Sequence, residues 1–305
     1  MENVAAVTFS ERMIFRGKQT RDERSNTAET ILHEMAHMWF GDLVTMRWWN
    51  GLWLNESFAT FMATKAVDEA TKFKGSWQDF YAGIKEWAYW EDQLVTTHPI
   101  EGPVFDTDQA ATQFDGITYG KGASSLKQLN YLLGDEDFRE GLQRYFQKFA
   151  LRNTTVGDFV KMLSEASTKD LAKWQKSWLQ TSGVNTVRAD WACTDDGKLS
   201  KLGLIQTMPE VGTQELRAHR AEVALFKMKN GKLQPVRTIQ VQYAGPLTMF
   251  DDAPGAVCPD FVYPNYKDYD FAKVELDPIS LATAQKSLSK FEEPFVRQMV
   301  WHNLW

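Results

Sequence analysis

Residues 33–62 read HEMAHMWFGDLVTMRWWNGLWLNESFATFM. His33 and His37 are four apart. On a helix that spacing puts both imidazoles on one face, one turn apart, close enough to share one metal ion. Glu34, beside the first histidine, can reach a water held at that metal. Glu56 follows His37 after eighteen residues, near the start of a second helical stretch. A carboxylate from a second helix completes a two-His, one-Glu donor set with one open position, the pattern of a catalytic zinc site. The chain has five histidines, and a His-Glu-x-x-His match arises by chance in about one such chain in a hundred. The bland alternative is a helix with two structural histidines and no metal.

Working outward, periodicity predicts a helix from Thr27 to about Leu43, a Trp-rich connector, and a helix from Asn55 to Thr71. Val4, Val7 and Phe9 suggest a strand ahead of them. Trp48, Trp49 and Trp53 read as core. A further helix starts near Gly122 and stops at Gly134, with Asp135 placed to cap the next one. Thr155 with Asp158 resembles a capping box. From Thr186 to Asp277 the texture changes. Ile239, Val241 and Tyr243 alternate with Gln240 and Gln242, and Asn230-Gly231 signals a tight hairpin. Pro235 belongs on an edge strand or at a strand start. Residues from Ser280 to Trp305 return to a helical pattern.

The fold class is therefore α+β. It comprises a mainly helical domain over 1–185 that carries the metal pattern, a small antiparallel β-domain over 186–277, and the beginning of a helical domain over 278–305. The chain has 305 residues, 43% apolar and 24% charged, with a net charge of −6 and no basic stripe. That balance argues against nucleic acid as the main partner. No apolar run is long enough to span a bilayer. Cys193 and Cys258 read by default as free thiols, with a disulfide left open.

The segment resembles the aminopeptidase N family of zinc metallopeptidases, the branch that also includes leukotriene hydrolase. The eighteen-residue gap and the WLNESFA that follows it carry the likeness. Met1-Glu2-Asn3 looks like the end of that family's Gly-Ala-Met-Glu-Asn exopeptidase motif, although the Gly and Ala are absent here. FDGITYGKGASSL, holding Tyr119, looks like its Tyr-x-Lys-Gly segment.

The resemblance implies a thermolysin-like catalytic domain, a β-sandwich-like domain after it, and one Zn²⁺ per chain bound by His33, His37 and Glu56. It implies Glu34 as general base, Tyr119 as the hydrogen-bond donor to the oxyanion, and Glu2 as the group that holds the substrate's α-amine. Asp42, Asn55, Asp115 and Lys121 are candidates for supporting roles, and the chain's own α-amine is expected to pair with Glu2. The expected substrates are peptides with a free N-terminus. The family also places a β-rich domain before and a helical domain after these segments. The chain thus reads as a fragment, with self-association expected through faces left by missing domains. The compartment stays open, with the cytoplasm preferred. Two other readings stay open as well: a hydrolase of the same family with a non-peptide substrate, and a catalytically silent zinc-binding module.

Overall fold

The computed structural model describes residues 1–251 and 253–304; Trp305, the end of the expected helical stretch, lies outside the described residues. The class is α+β. The chain divides into two compact units, one of Met1–Asp92 with Thr96–Thr181, the other of Gln93–Val95 with the residues from Ser182 onward.

The first unit is helical. Helix α1 (Arg21–Ala36) starts six residues before the expected Thr27. The cause is a capping box: Thr20 accepts from the Glu23 amide, and Glu23 accepts from the Thr20 amide at 2.8 Å. Those bonds satisfy the first turn without any apolar periodicity, so a hydrophobic pattern does not reveal it. The helix also stops at Ala36 rather than Leu43: beyond it the bonds tighten to turns, from the Met38 amide to Met35 and the Trp39 amide to Ala36, and Gly41 then bends the chain at φ +129°. Strand β1 (Val44–Met46) follows, then helix α2 (Trp53–Ala70), close to the expected bounds.

Helix α2 is buried almost all round, as a central helix must be. Phe58 stacks on Phe40 at 4.2 Å and meets Phe159 edge-on at 5.1 Å. Trp53 is fully buried among them, whereas Trp48 is 46% exposed and is not core. The Trp48 indole N–H instead donates to the Val104 carbonyl.

Beyond α2 come α3 (Ser76–Phe80), a π-helical turn (Tyr81–Lys85) and α4 (Glu86–Glu91), in continuous sequence. Next are α5 (Thr107–Ala111), a second π-helical turn (Ile117–Lys121) and α6 (Gly122–Leu133). Gly134, at φ +91°, ends α6 as expected. It also occupies the cap position of α7 (Asp135–Phe149), so Asp135 does not cap; its carboxylate accepts from Asn130. Strand β2 (Arg152–Thr154) pairs in parallel with β1. The Thr155–Asp158 capping box opens α8 (Val156–Ser167) as the sequence indicates. The unit closes with α9 (Ala172–Trp174) and a π-helical turn (Gln175–Leu179). Residues 1–10 form no strand: Ala5 sits at φ +59°, and Val4 and Phe9 are exposed, with no ladder to bury them.

The second unit holds two sheets. β3 (Thr186–Cys193), β4 (Leu199–Thr207), β7 (Leu247–Met249) and β9 (Lys273–Glu275) form one, in the order β7-β4-β3-β9. β5 (His219–Lys229), β6 (Lys232–Tyr243) and β8 (Phe261–Tyr263) form the other, in the order β6-β5-β8. The unit is not purely antiparallel, because β9 returns by a long connection and lies parallel to β3. Asn230 and Gly231, both at positive φ, make the expected hairpin turn between β5 and β6. Pro235 sits on the edge strand β6 at a register shift, a position that tolerates proline.

Cys193 and Cys258 are disulfide-bonded, not free thiols. Their 65-residue separation hides the pairing from sequence, but a bridge between Lys198 and Val257 brings the two segments together. Helices α10 (Pro278–Ser287) and α11 (Pro294–His302) follow, each with Pro in its first turn. Among the described residues no helix is long and apolar enough to cross a membrane.

Candidate active site

His33 lies in the last turn of α1, and His37 is its C-cap residue, still in αR conformation. The i, i+4 relation therefore survives although the helix ends between them. Glu56 comes from the first turn of α2. His33 Nε2 lies 3.1 Å from His37 Nε2 and 3.2 Å from Glu56 Oε2, and His37 Nε2 lies 3.5 Å from the same oxygen. A tetrahedral zinc with ligands at about 2.05 Å has edges of about 3.3 Å, so the triangle matches one face of that tetrahedron.

The surroundings also suit a metal. His37 Nδ1 donates to the Phe40 carbonyl at 3.0 Å, which directs the Nε2 lone pair into the triangle. His33 Nδ1 faces the Thr60 hydroxyl at 3.4 Å. Burial by itself would raise the Glu56 carboxyl, but the hydrogen bonds and charge of His33 and His37 outweigh it and hold the group at about 2. Burial likewise disfavours charge on His37, and Glu56 with the Phe40 carbonyl more than offsets it, raising that imidazole. The carboxylate is thus kept ionised, ready for a cation.

Glu34 and Glu2 stand beside this triangle. Ligand atoms of Glu2, Glu34 and His37 all lie within 4.8 Å of one another. The Met1 α-ammonium lies 3.0 Å from Glu34 Oε2. The amine therefore pairs with Glu34, not with Glu2 as expected. Asp42 is raised above the ordinary carboxylate value by burial and by the Glu2 charge. Asn55 packs against the Gly41 backbone, where a Cβ would come within 3.0 Å of its amide.

Tyr119 sits in the π-helical turn that precedes α6, a device common at functional sites. Its ring stacks over His33 at 6.1 Å, with Trp87 at 6.3 Å. Burial, then the charge of Glu56 and a hydrogen bond to it, push the phenol well above its ordinary value. The hydroxyl is therefore a donor throughout the neutral range.

Three glycines bring this segment in so closely. A Cβ on Gly120 would lie 2.4 Å from the Ile84 carbonyl, one on Gly122 2.0 Å from Ser57 Oγ, and one on Gly116 2.9 Å from Glu91. Ser57, next to Glu56, donates to the Thr118 carbonyl at 2.6 Å and ties α2 to the tyrosine segment. Asp115 accepts from the Ile117 and Thr118 amides and contacts His98 Nε2 at 2.7 Å. Lys121 forms a fully buried ion pair with Asp92 at 3.0 Å. Both hold the segment rather than the Tyr119 side chain. No sequence pattern points to Ser57, Thr60 or the Phe40 carbonyl; the one signal that could have flagged close packing here is the Gly-x-Gly spacing at 120 and 122.

The sequence comparisons agree with this geometry. The model of the Peptidase family M1 domain matches residues 1–178. "Aminopeptidase N" from Streptomyces lividans is 41% identical over 313 residues, covering 100% of this chain and 36% of that protein. "Probable aminopeptidase 2" from Sulfurisphaera tokodaii is 43% identical over 188 residues, 61% of this chain and 24% of that one. "Aminopeptidase 2, mitochondrial" from Saccharomyces cerevisiae is 38% identical over 189 residues, 61% of this chain and 20% of that one. The chain thus spans well under half the length of these relatives. With the family model covering more than half of its residues, the chain belongs to peptidase family M1.

Proposed function

We propose that this chain carries the catalytic core of a zinc-dependent aminopeptidase, with a thermolysin-like arrangement of its first unit, acting on peptides with a free N-terminus. The observation that carries the reading is the convergence of His33, His37 and Glu56 at tetrahedral spacing, with Glu34, Tyr119 and Glu2 around them.

His33, His37 and Glu56 would hold one Zn²⁺. Bound there, zinc supplies a Lewis acid for the scissile carbonyl and makes water acidic enough to lose a proton near neutral pH. Glu34 accepts that proton as the water oxygen attacks the carbonyl carbon. Tyr119 donates its phenolic hydrogen to the carbonyl oxygen as negative charge develops there. When the C–N bond breaks, Glu34 returns the proton to the leaving nitrogen, so the products are an amino acid and a peptide shortened by one residue.

Glu2 fixes the substrate's α-ammonium. Its carboxylate lies within 4.8 Å of Glu34 and His37, which leaves room for a single residue between amine and scissile bond. That short reach favours an exopeptidase over an endopeptidase. Where the chain stands alone, the apolar surface at Val4, Phe9 and Ile14, all more than 40% exposed, favours self-association.

The test is hydrolysis of aminoacyl chromogenic amides beside their N-acetylated counterparts, with zinc content measured in parallel. Turnover of the free-amine substrates alone, lost in Glu34→Gln with zinc retained, is the expected result. Equal turnover of acetylated substrates removes the role of Glu2, and unchanged activity in Glu34→Gln removes the mechanism.

A further inference from the structure

The mechanism above leaves one side of the site unused. A cavity of about 610 Å³ opens beside the metal triangle, with His33 and Tyr119 in its wall. Its apolar lining includes Ala63, Phe80 and Ile84. Three carboxylates also line it: Asp22, Glu29 and Asp79. Glu2, Glu34 and His37 cluster together and do not line it.

The location assigns the cavity to one part of a substrate. With the α-amine at Glu2 and the scissile carbonyl between the triangle and Tyr119, the first residue occupies the Glu2 side. The chain beyond the scissile bond must then leave past His33 and Tyr119, into this cavity. An apolar floor under an acidic wall fits a side chain with a long aliphatic stem and a cationic head. We infer that this cavity selects peptides whose second residue is lysine or arginine. The inference rests on the aminopeptidase reading and adds a specificity to it.

The electrostatics of the wall agree. Glu29 is half-buried, with Oε1 accepting from the Thr64 hydroxyl at 2.9 Å. Burial foremost, with the Asp79 charge adding to it, raises its carboxyl, against the pull of Thr64 and His33. Burial and the like charge of Asp22 raise Asp79, against the pull of Arg21. A cation entering between these groups relieves their mutual repulsion. Arg21 does not fill the role: it is not part of the wall, and its guanidinium turns to the Lys74 carbonyl and lies 3.8 Å from Asp22. An acidic second residue meets like charge here and is rejected, so the same wall selects against as well as for.

The experiment compares kcat/KM for alanyl-lysine amide, alanyl-norleucine amide and alanyl-glutamate amide. Lysine and norleucine share their aliphatic stem and differ in charge. The lysine substrate is expected to exceed norleucine by about tenfold, with glutamate slowest. The double variant Glu29→Gln/Asp79→Asn is expected to bring the lysine-to-norleucine ratio to about two, the remainder being the exposed Asp22. Equal rates for lysine and norleucine in the unaltered chain overturn the inference. So does a ratio that the double variant leaves unchanged.

If no dipeptide is hydrolysed, the aminopeptidase reading fails separately. The cavity is then judged by calorimetric binding of lysine amide against norleucine amide to the same chain. Tighter binding of lysine amide that the double variant abolishes supports the inference, and equal affinities refute it.

Discussion

Replacing Gly120 with alanine tests how Tyr119 is held in place. The added Cβ would lie 2.4 Å from the Ile84 carbonyl and 2.7 Å from Ala88 Cβ. Both neighbours belong to the helical run from Ser76 to Glu91, so no flexible side chain can swing away. Restoring ordinary contact, about 3.4 Å, requires the π-helical turn to retreat by about 1 Å. Tyr119 precedes Gly120 directly and must move with it, out of its place between His33 and Trp87. A displacement of that size at a reacting group costs about a hundredfold in rate, while overpacking costs about 1–3 kcal/mol of stability. The assay is kcat and KM on a free-amine aminoacyl amide, with thermal unfolding and zinc content on the same samples. The expected pattern is a fall in kcat approaching that of Tyr119→Phe, a modest loss of Tm and one zinc per chain. Gly157→Ala is the control: its added Cβ would lie 3.7 Å from Thr155 Oγ1, an ordinary contact, so it should be neutral or stabilising by up to about 1 kcal/mol. If Gly120→Ala keeps kcat within a factor of about two, close packing of this segment does not set the position of the phenol.

Three further outcomes follow from the same structure. Ser57→Ala removes the side-chain donor to the buried Thr118 carbonyl, which costs about 0.5–1.5 kcal/mol in urea unfolding; an unchanged midpoint would show the bond to be dispensable. Removing the Cys193–Cys258 bridge releases a 65-residue separation and lowers stability by about 4 kcal/mol on chain entropy alone, read as the loss of Tm in a Cys193→Ala/Cys258→Ala variant. Burial opposes charge on His98, but the Asp115 hydrogen bond and charge, with the Pro99 carbonyl, raise its pKa above the ordinary 6.5. A raised folded-state value means that the pair's stabilisation is fully present below about pH 6.5 and fades as pH climbs through the folded pKa. Urea midpoints from pH 5.5 upward should therefore decline more steeply in the parent than in Asp115→Asn, and parallel profiles would remove the pair from the account.

What could be read from sequence, and what could not, follows from where each contact's partner lies in the chain. The two histidines and Glu56 were legible because a helix converts a spacing of four into shared direction, and because all three lie within one segment. Tyr119 lies 63 residues after Glu56, and no local pattern sets one tyrosine among nine apart; only the family likeness picked it out. Its position depends on Ser57, Gly120 and Gly122, whose roles are absences of bulk and a single hydroxyl, and neither leaves a periodic trace. The start of α1 escaped for a related reason: Thr20 and Glu23 form it by reciprocal hydrogen bonds, ahead of any apolar stripe. The disulfide and the parallel β3–β9 pair both join residues more than sixty positions apart, beyond the reach of alternation or turn signals. The acidic cavity combines these cases. Asp22, Glu29 and Asp79 each read alone as a solvated helix carboxylate, and they become one wall only because α1 and α3 are packed around α2. The His33, His37 and Glu56 pattern is thus written locally, whereas the placement of Tyr119 and the proposed discrimination between substrates are written in long-range packing, and a substitution far from the His-Glu-x-x-His motif is where altered specificity should be sought first.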